Sequence, residues 1–455
     1  MKIRRLHVQN MKLLRDFRLD FIDPSTGQPR SWTVLVGRNA RGKSTILQAI
    51  ALAAAGRDGA LQLLSGHMGT LFDRRQDPRV PVQIDAEFSL PSVRGHMKHR
   101  KGVPLRELPE TDQPQDMVSS TLTLRPASRG QGEVVGTSWY GDWTQTPPHT
   151  GAFGPINAAQ TRSLPWWFTV AYGVGRQLRL PQASDALESP TRVRQKLAPL
   201  FSPLVPVGIG YADDKVHGIA GPFMKLLKKV LLHHEGLVPL ISDLELRGAG
   251  GVRSTDQLAD GDKFQIELPG GAQKMPATWL SHGYQATLAW VADLVGQFLL
   301  DWDGTKEPAD LSGLVLIDEL DLFLHPDWQA GFIQALSATF PNLQFVATTH
   351  SPLLISKLEP GQVILLDWNE AGNIVARPFE ADPRLMTATD LYREIFGITD
   401  PPPTDLARDL VRCEYLGADP ERTDAEDAEV QALLKSLAAA RVRDLPVPVP
   451  RVPTP

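Results

Sequence analysis

The sequence predicts an α/β fold with strands buried on both faces, and three stretches carry that prediction. "GRNARGKS" (Gly37–Ser44) lies between the apolar run "WTVLV" and a segment rich in helix formers. "LVLIDE" (Leu314–Glu319) is four apolar residues ending in two carboxylates. "FVATTHSP" (Phe345–Pro352) is a second apolar run, ending in a histidine. Continuous apolar runs of this length suit strands covered on both faces, so their polar ends would emerge together at the C-terminal edge of a sheet.

The other elements follow in order along the chain. Alternation at Ile3/Leu6/Val8 and at Leu19/Phe21 predicts a strand pair. After "SWTVLV" and the loop, "KSTILQAIALAAAG" predicts a helix stopped by Gly56. From there to about 180, "PVQIDAEFSL", "STLTLRP" and "PWWFTVAYGVG" are strand-like, separated by Pro- and Gly-rich connections. Residues 181–240 turn partly helical, with a clear apolar stripe in "GPFMKLLKKVLLHHEG", and "DLELRGAGG" with "KFQIELPGG" predicts a hairpin. "WLSHGYQATLAW" (Trp279–Trp290) opens with small and polar residues and becomes apolar only afterwards, which predicts a turn leading into a helix. The tail from 399 starts "TDPPPTD" and ends "VPVPRVPTP"; one helix is expected at "DAEVQALLKSLAAARVR", with an extended, loosely held end.

Composition narrows the setting. The chain has 455 residues, 42% hydrophobic and 22% charged, which is a globular balance and ample for two or three domains or one large split domain. A single cysteine, Cys413, excludes an internal disulfide framework, so a reducing cytoplasm is the expected location. No basic start with an apolar run marks a secretory signal, and no apolar run approaches the ~20 residues that span a bilayer. A net charge of −5 argues against bulk coating of nucleic acid.

"GRNARGKS" matches the phosphate-binding pattern G-x-x-x-x-G-K-[ST] in the strand-loop-helix context that the chemistry needs. Backbone N–H groups over Gly37, Arg38, Asn39, Ala40, Arg41, Gly42, Lys43, Ser44 and Thr45 would wrap the phosphates of ATP. Lys43 would neutralise charge on the β/γ-phosphates and the Ser44 hydroxyl would coordinate Mg²⁺. Asp318 would join the Mg²⁺ shell, and Glu319 could orient or deprotonate an attacking water. His350 could hydrogen-bond the γ-phosphate. Each string alone has a bland reading: a chance turn, an acidic strand end, a structural histidine. Their combination favours nucleotide chemistry.

The order phosphate loop, "LSHGYQ", "LVLIDELD", "TTHS" resembles the ABC-type ATPase heads of the RecF, OLD and SMC proteins, and most of all the prokaryotic AAA ATPases, many of which belong to anti-phage defence modules. "HVQNMKLLRDFRLDF", "FTVAYGVGR" and "DELDLFLHPDWQ" carry the specific part of the likeness. The resemblance implies a P-loop NTPase with an ABC-ATPase-like head split over 1–180 and 270–398, an inserted, mostly helical lid with a hairpin over 181–269, and a helical, Pro-rich tail over 399–455. It makes "LSHGYQ" the signature motif, whose Ser281 and Gly283 would contact the γ-phosphate of ATP held by a second head. Two heads would then close around two nucleotides as an ATP-dependent homodimer, with larger assemblies left open. Asp321 would lie near the dimer seam, and His325 with Pro326 would start the next helix. Departures are Ala40 where a glycine is common, His282 within the signature, and Met11 after Asn10. The glutamine that completes the Mg²⁺ shell is not obvious, and Gln177 is the candidate.

The resemblance implies regulation of an effector encoded nearby, a nuclease or toxin, and the residues after His350 show no toprim, HNH or HEPN pattern. A RecF-like DNA-repair ATPase and an ATP-binding scaffold that silences a toxin are the alternatives. The basic segment "RGHMKHRKGVPLR" (94–106) could touch nucleic acid or simply be solvated. His96 and His99 lack partners for zinc, "KLLKKVLLHHE" is either a DNA-facing helix or one that packs its leucines down, and Trp166 with Trp167 belong to the core or the seam.

Overall fold

A computed structural model describes residues 1–65, 68–73, 80–90, 117–126, 132–144, 154–161, 166–176, 191–203, 205, 207, 219–233, 237–239, 241–246, 264–268, 274–301, 307–398, 405–440 and 445–450. The basic segment 94–106, with its two histidines, and Gln177 lie outside these described residues. The chain divides into two compact units, Met1–Leu391 and Tyr392–Pro455.

The first unit begins with β1 (Lys2–Met11), β2 (Leu14–Asp20), β3 (Trp32–Val36), β4 (Val82–Ser89), β5 (Met117–Arg125), β6 (Glu133–Tyr140) and β7 (Thr169–Tyr172). It continues with β8 (Asp243–Leu246), β9 (Phe264–Glu267), β10 (Lys274–Pro276), β11 (Gly313–Ile317), β12 (Leu343–Thr348), β13 (Val363–Trp368) and β14 (Ile374–Pro378). An antiparallel sheet runs β2-β1-β4-β5-β6. Its first strand pair is the expected hairpin, and the odd spacing Ile3/Leu6/Val8 has a cause. A register shift between Ile3 and Arg5 resets the alternation, so that all three side chains reach the core.

The second sheet runs β14-β13-β3-β12-β11-β7, with β13, β3, β12, β11 and β7 parallel and β14 antiparallel at one edge. Every residue of β3, β11 and β12 is buried, which is why these strands read as unbroken apolar runs. Helix Lys43–Leu64 packs against β4, β5 and β6 of the first sheet and β7, β11 and β12 of the second. Its run of buried alanines, Ala51 and Ala53 to Ala55, allows both sheets to approach closely. Gly56 is a kink at φ 64°, ψ −175°, and not the expected stop: helical backbone resumes and runs on to Leu64. Gly59, Ala60, Leu63 and Leu64 keep that second segment buried, so tertiary packing overrides the breaker.

In the region between, helix Ala220–Leu231 buries Phe223, Leu226, Leu227 and Val230 and packs against helix His282–Asp301. Its Lys228 and Lys229 pair with Asp243 and Glu307, so its leucines do pack down. Strands β8 and β9 form the expected antiparallel pair, joined by β10 as a third strand. Trp166 and Trp167 are core residues. Among the described residues no helix is long and apolar enough to cross a membrane.

The second unit contains two packed helices, Asp405–Gly417 and Asp424–Ala439, around Cys413, Leu416, Val430 and Leu437. Only the latter was expected. Thr423 and Glu426 form a reciprocal capping box at its start. The extended end is not loosely held at Val449, whose N–H donates to Gly417 O at 2.8 Å and whose carbonyl accepts from Arg422 Nη1 at 2.9 Å.

Candidate functional site

The parallel strands all end on one side, so the segments after β3, β12, β11 and β7 assemble along a single edge. After β3 comes the phosphate loop. Gly37 has φ 147°, and a Cβ there would lie 2.6 Å from Leu366 O, so only glycine lets the loop run against β13. Ala40 at φ 61° and Gly42 at φ 76° continue the left-handed backbone into the helix that starts at Lys43. Such left-handed turns in series aim N–H groups into a concavity suited to anions. Ala40 thus occupies a conformation that favours glycine, at a cost of about 1–2 kcal/mol. The Lys43 ammonium donates to Gly37 O at 2.8 Å and Arg38 O at 3.2 Å, which holds it over the loop. Arg38, Asn39, Ala40 and Ser44 are exposed, and Thr45 is buried beneath them. Arg41 turns towards β13, with Nη2 3.4 Å from Asp367 and its guanidinium 5.3 Å from the Trp368 ring centre.

After β11 come Asp318 and Glu319, and two hydroxyls from the end of β12 organise the carboxylates. Thr348 Oγ1 donates to Asp318 Oδ1 at 2.6 Å and accepts the Glu319 N–H at 2.7 Å. Thr349 Oγ1 donates to Asp321 Oδ1 at 2.6 Å, which also accepts the His350 N–H at 3.3 Å. Arg176, four residues beyond the end of β7, is buried beneath the pair. Its Nη1 donates to Asp318 O at 2.7 Å and its Nη2 to Glu319 O at 2.6 Å. Burial lowers the Arg176 pKa to about 10 against the pull of Asp318, Asp321 and Glu319, so it stays charged at neutral pH.

Lys43, His350, Asp318, Glu319 and Asp321 share one electrostatic environment. Burial holds the Lys43 pKa below the ordinary lysine range, opposed by the three carboxylates. Burial and then the Lys43 charge hold the His350 pKa below its ordinary value, which favours the neutral imidazole.

"LSHGYQ" is placed differently. Ser281 is exposed just before helix His282–Asp301, and Trp279 beside it is 74% exposed. Gly283 is buried, and a Cβ there would lie 2.3 Å from Phe323 O, so the signature start docks on the segment that follows the carboxylates. Among the described residues, neither Ser281 nor Gly283 hydrogen-bonds to the group around Lys43. Gln285 ties the turn together, donating to Thr278 O and Leu280 O at 2.9 and 2.6 Å. His325 caps helix Pro326–Thr339, as expected.

The structure therefore brings Lys43, Asp318, Glu319 and His350 together and leaves Ser281 facing outward. Sequence reasoning passed over Thr348, Thr349 and Arg176. Two hydroxyls directly before a strand-end histidine were a usable signal for the first two. No spacing rule points to Arg176, in the segment after β7. The donor set fits Mg·ATP: a loop of left-handed backbone with a lysine, a hydroxyl at a helix start, and a carboxylate already oriented by Thr348.

Fold and site together define a P-loop nucleotide-binding head. Comparison with known proteins takes this further. Residues 1–97 match the "AAA ATPase domain" family model, and residues 172–356 match that described as "AAA domain, putative AbiEii toxin, Type IV TA system". A crystal structure of an SMC head bound to the C-winged helix domain of ScpA superposes with a TM-score of 0.51 at 15% identity, covering 85% of this chain and 99% of that one. Two AAA family models thus each match part of the chain, and its fold is that of an SMC-head-like P-loop domain. The Retron Vc95 probable ATPase of Vibrio cholerae serotype O1 biovar El Tor is 39% identical over 88 residues, 19% of this chain and 17% of that protein. The Septu protein PtuA of Bacillus mycoides (strain KBAB4) is 31% identical over 160 residues, 35% of this chain and 22% of that protein. The matches thus span about a fifth of these curated relatives.

Proposed function

We propose that the chain hydrolyses ATP at a site shared between two copies, and that nucleotide state controls a partner effector. The observation that carries the catalytic part is the convergence of Lys43, Asp318, Glu319 and His350 at one edge of the parallel sheet. The loop amides and Lys43 bind the phosphates. Ser44 and Asp318 supply the hydroxyl and carboxylate that would hold Mg²⁺, whose chemistry there is neutralisation of phosphate charge. Glu319 orients the water for in-line attack on the γ-phosphorus and accepts its proton, the bond from the γ-phosphorus to the β–γ bridging oxygen breaks so that ADP leaves, and neutral His350 hydrogen-bonds the γ-phosphate. Ser281 and the start of its helix face outward, so their anion is the γ-phosphate bound by the other copy. In this reading the head comprises 1–180 and 270–398, with 181–269 as a lid and 399–455 as the tail, in a cytoplasmic protein. Relatives bearing retron and Septu names support a place in an anti-phage defence module, where the effector is a separate nuclease or toxin. The test is ATP turnover by the full chain beside Lys43→Ala. Turnover that the substitution reduces by about 100-fold or more supports the reading, and equal turnover in both refutes it.

A further inference from the structure

We propose that Arg176 is a positioning residue that clamps the backbone of Glu319 in the conformation that hydrolysis uses. This rests on the reading of Glu319 as the group that orients the attacking water. Successive carbonyls along a strand point to opposite sides, so one side chain cannot ordinarily receive two neighbours. Here the two guanidinium nitrogens hold the carbonyls of Asp318 and Glu319 at 2.7 and 2.6 Å. Glu319 meets that demand with φ 49°, a left-handed conformation that glutamate rarely adopts. A strained residue needs surroundings that over-determine it, and Glu319 has them on both sides. Its N–H is fixed by Thr348 Oγ1 and its carbonyl by Arg176, which leaves the carboxylate projecting from a rigid base.

The side-chain type follows from this geometry. The guanidinium is a planar fork with donors spaced for two acceptors, whereas the lysine ammonium is a point donor on a flexible stem. Arg176 is 2% exposed, and among the described residues its hydrogen bonds to the site run to backbone carbonyls, so it acts through Glu319 without touching nucleotide. Its position after β7 makes that edge strand, and not only β3, β11 and β12, a determinant of the site.

The experiment compares the full chain with Arg176→Lys and Arg176→Met, each with and without Glu319→Gln. Steady-state turnover, affinity for a slowly hydrolysed ATP analogue, and amide hydrogen exchange are measured on each. Arg176→Lys is expected to lower kcat by about 10–100-fold while KM and analogue affinity stay within about threefold. In the Glu319→Gln background the same substitution should add no further loss, because both act through one group. Peptides covering 318–322 should exchange faster and those covering 37–45 should not. If Arg176→Met does not fold, Arg176→Lys, which keeps the cation, carries the comparison. Wild-type kcat in Arg176→Lys, multiplying losses in the double variant, or unchanged exchange at 318–322 would each overturn the proposal. The exchange result stands apart from turnover: a wild-type chain with no ATPase activity refutes the hydrolysis reading, whereas 318–322 can still be seen to loosen or not.

Discussion

Thr348 serves two neighbours at once, and a single substitution separates its contributions. Thr348→Val keeps the shape but removes the donor to Asp318, which is buried, and the acceptor for the Glu319 N–H, which is partly buried. Buried partners left unsatisfied cost about 1–3 kcal/mol, so chemical denaturation should show a loss of that size together with lower turnover. Wild-type stability in this variant would mean that Thr348 does not organise the carboxylates. His350 yields a pH prediction. Burial and Lys43 push its pKa below the ordinary 6.5, so the neutral imidazole persists through neutral pH and is lost only below that value. The acidic limb of the turnover profile due to this group should therefore lie under 6.5, and His350→Gln should remove it. A limb above 6.5 that disappears in His350→Gln would contradict the assignment. At this scale Lys43 was legible from the phosphate-loop pattern, and Asp318, Glu319 and His350 because they are the polar ends of apolar runs. Thr348 and Thr349 carried only the signal of two hydroxyls before a histidine and Arg176 carried none, because their roles depend on which strands are neighbours, and a single strand's sequence does not state that.

Elements were legible in proportion to how completely one face, or both, is buried. The strands of the site read clearly since every residue of β3, β11 and β12 is covered. Helix Asp405–Gly417 was missed because its buried stripe is thin, chiefly Cys413 and Leu416 among charged residues, and it follows three prolines. Gly56 misled because a glycine breaks an isolated helix more readily than one wedged between two sheets. The docking of helix His282–Asp301 on the segment after the carboxylates gives the prediction at this scale. Gly283→Ala would place a methyl 2.3 Å from the Phe323 carbonyl, a backbone atom with little freedom to retreat. A loss of about 1–3 kcal/mol in urea denaturation is expected, and an unchanged midpoint would show that the close approach is not maintained in solution.

For the whole molecule, the two faces of the head have different tasks in the proposed mechanism. One binds a nucleotide through the loop after β3, and the other offers Ser281 and the start of its helix to a second copy. Glu319→Gln should bind ATP, cleave it far more slowly and accumulate as a dimer, seen as a doubled mass on a calibrated sizing column that reverts when nucleotide is removed. The composite nature of the site is tested most directly by a structure of Glu319→Gln with ATP and Mg²⁺. The predicted result is Ser281 Oγ within hydrogen-bonding distance of a γ-phosphate seated on the Gly37–Ser44 loop of the other copy. Ser281 facing solvent, with each nucleotide enclosed by a single chain, would contradict it.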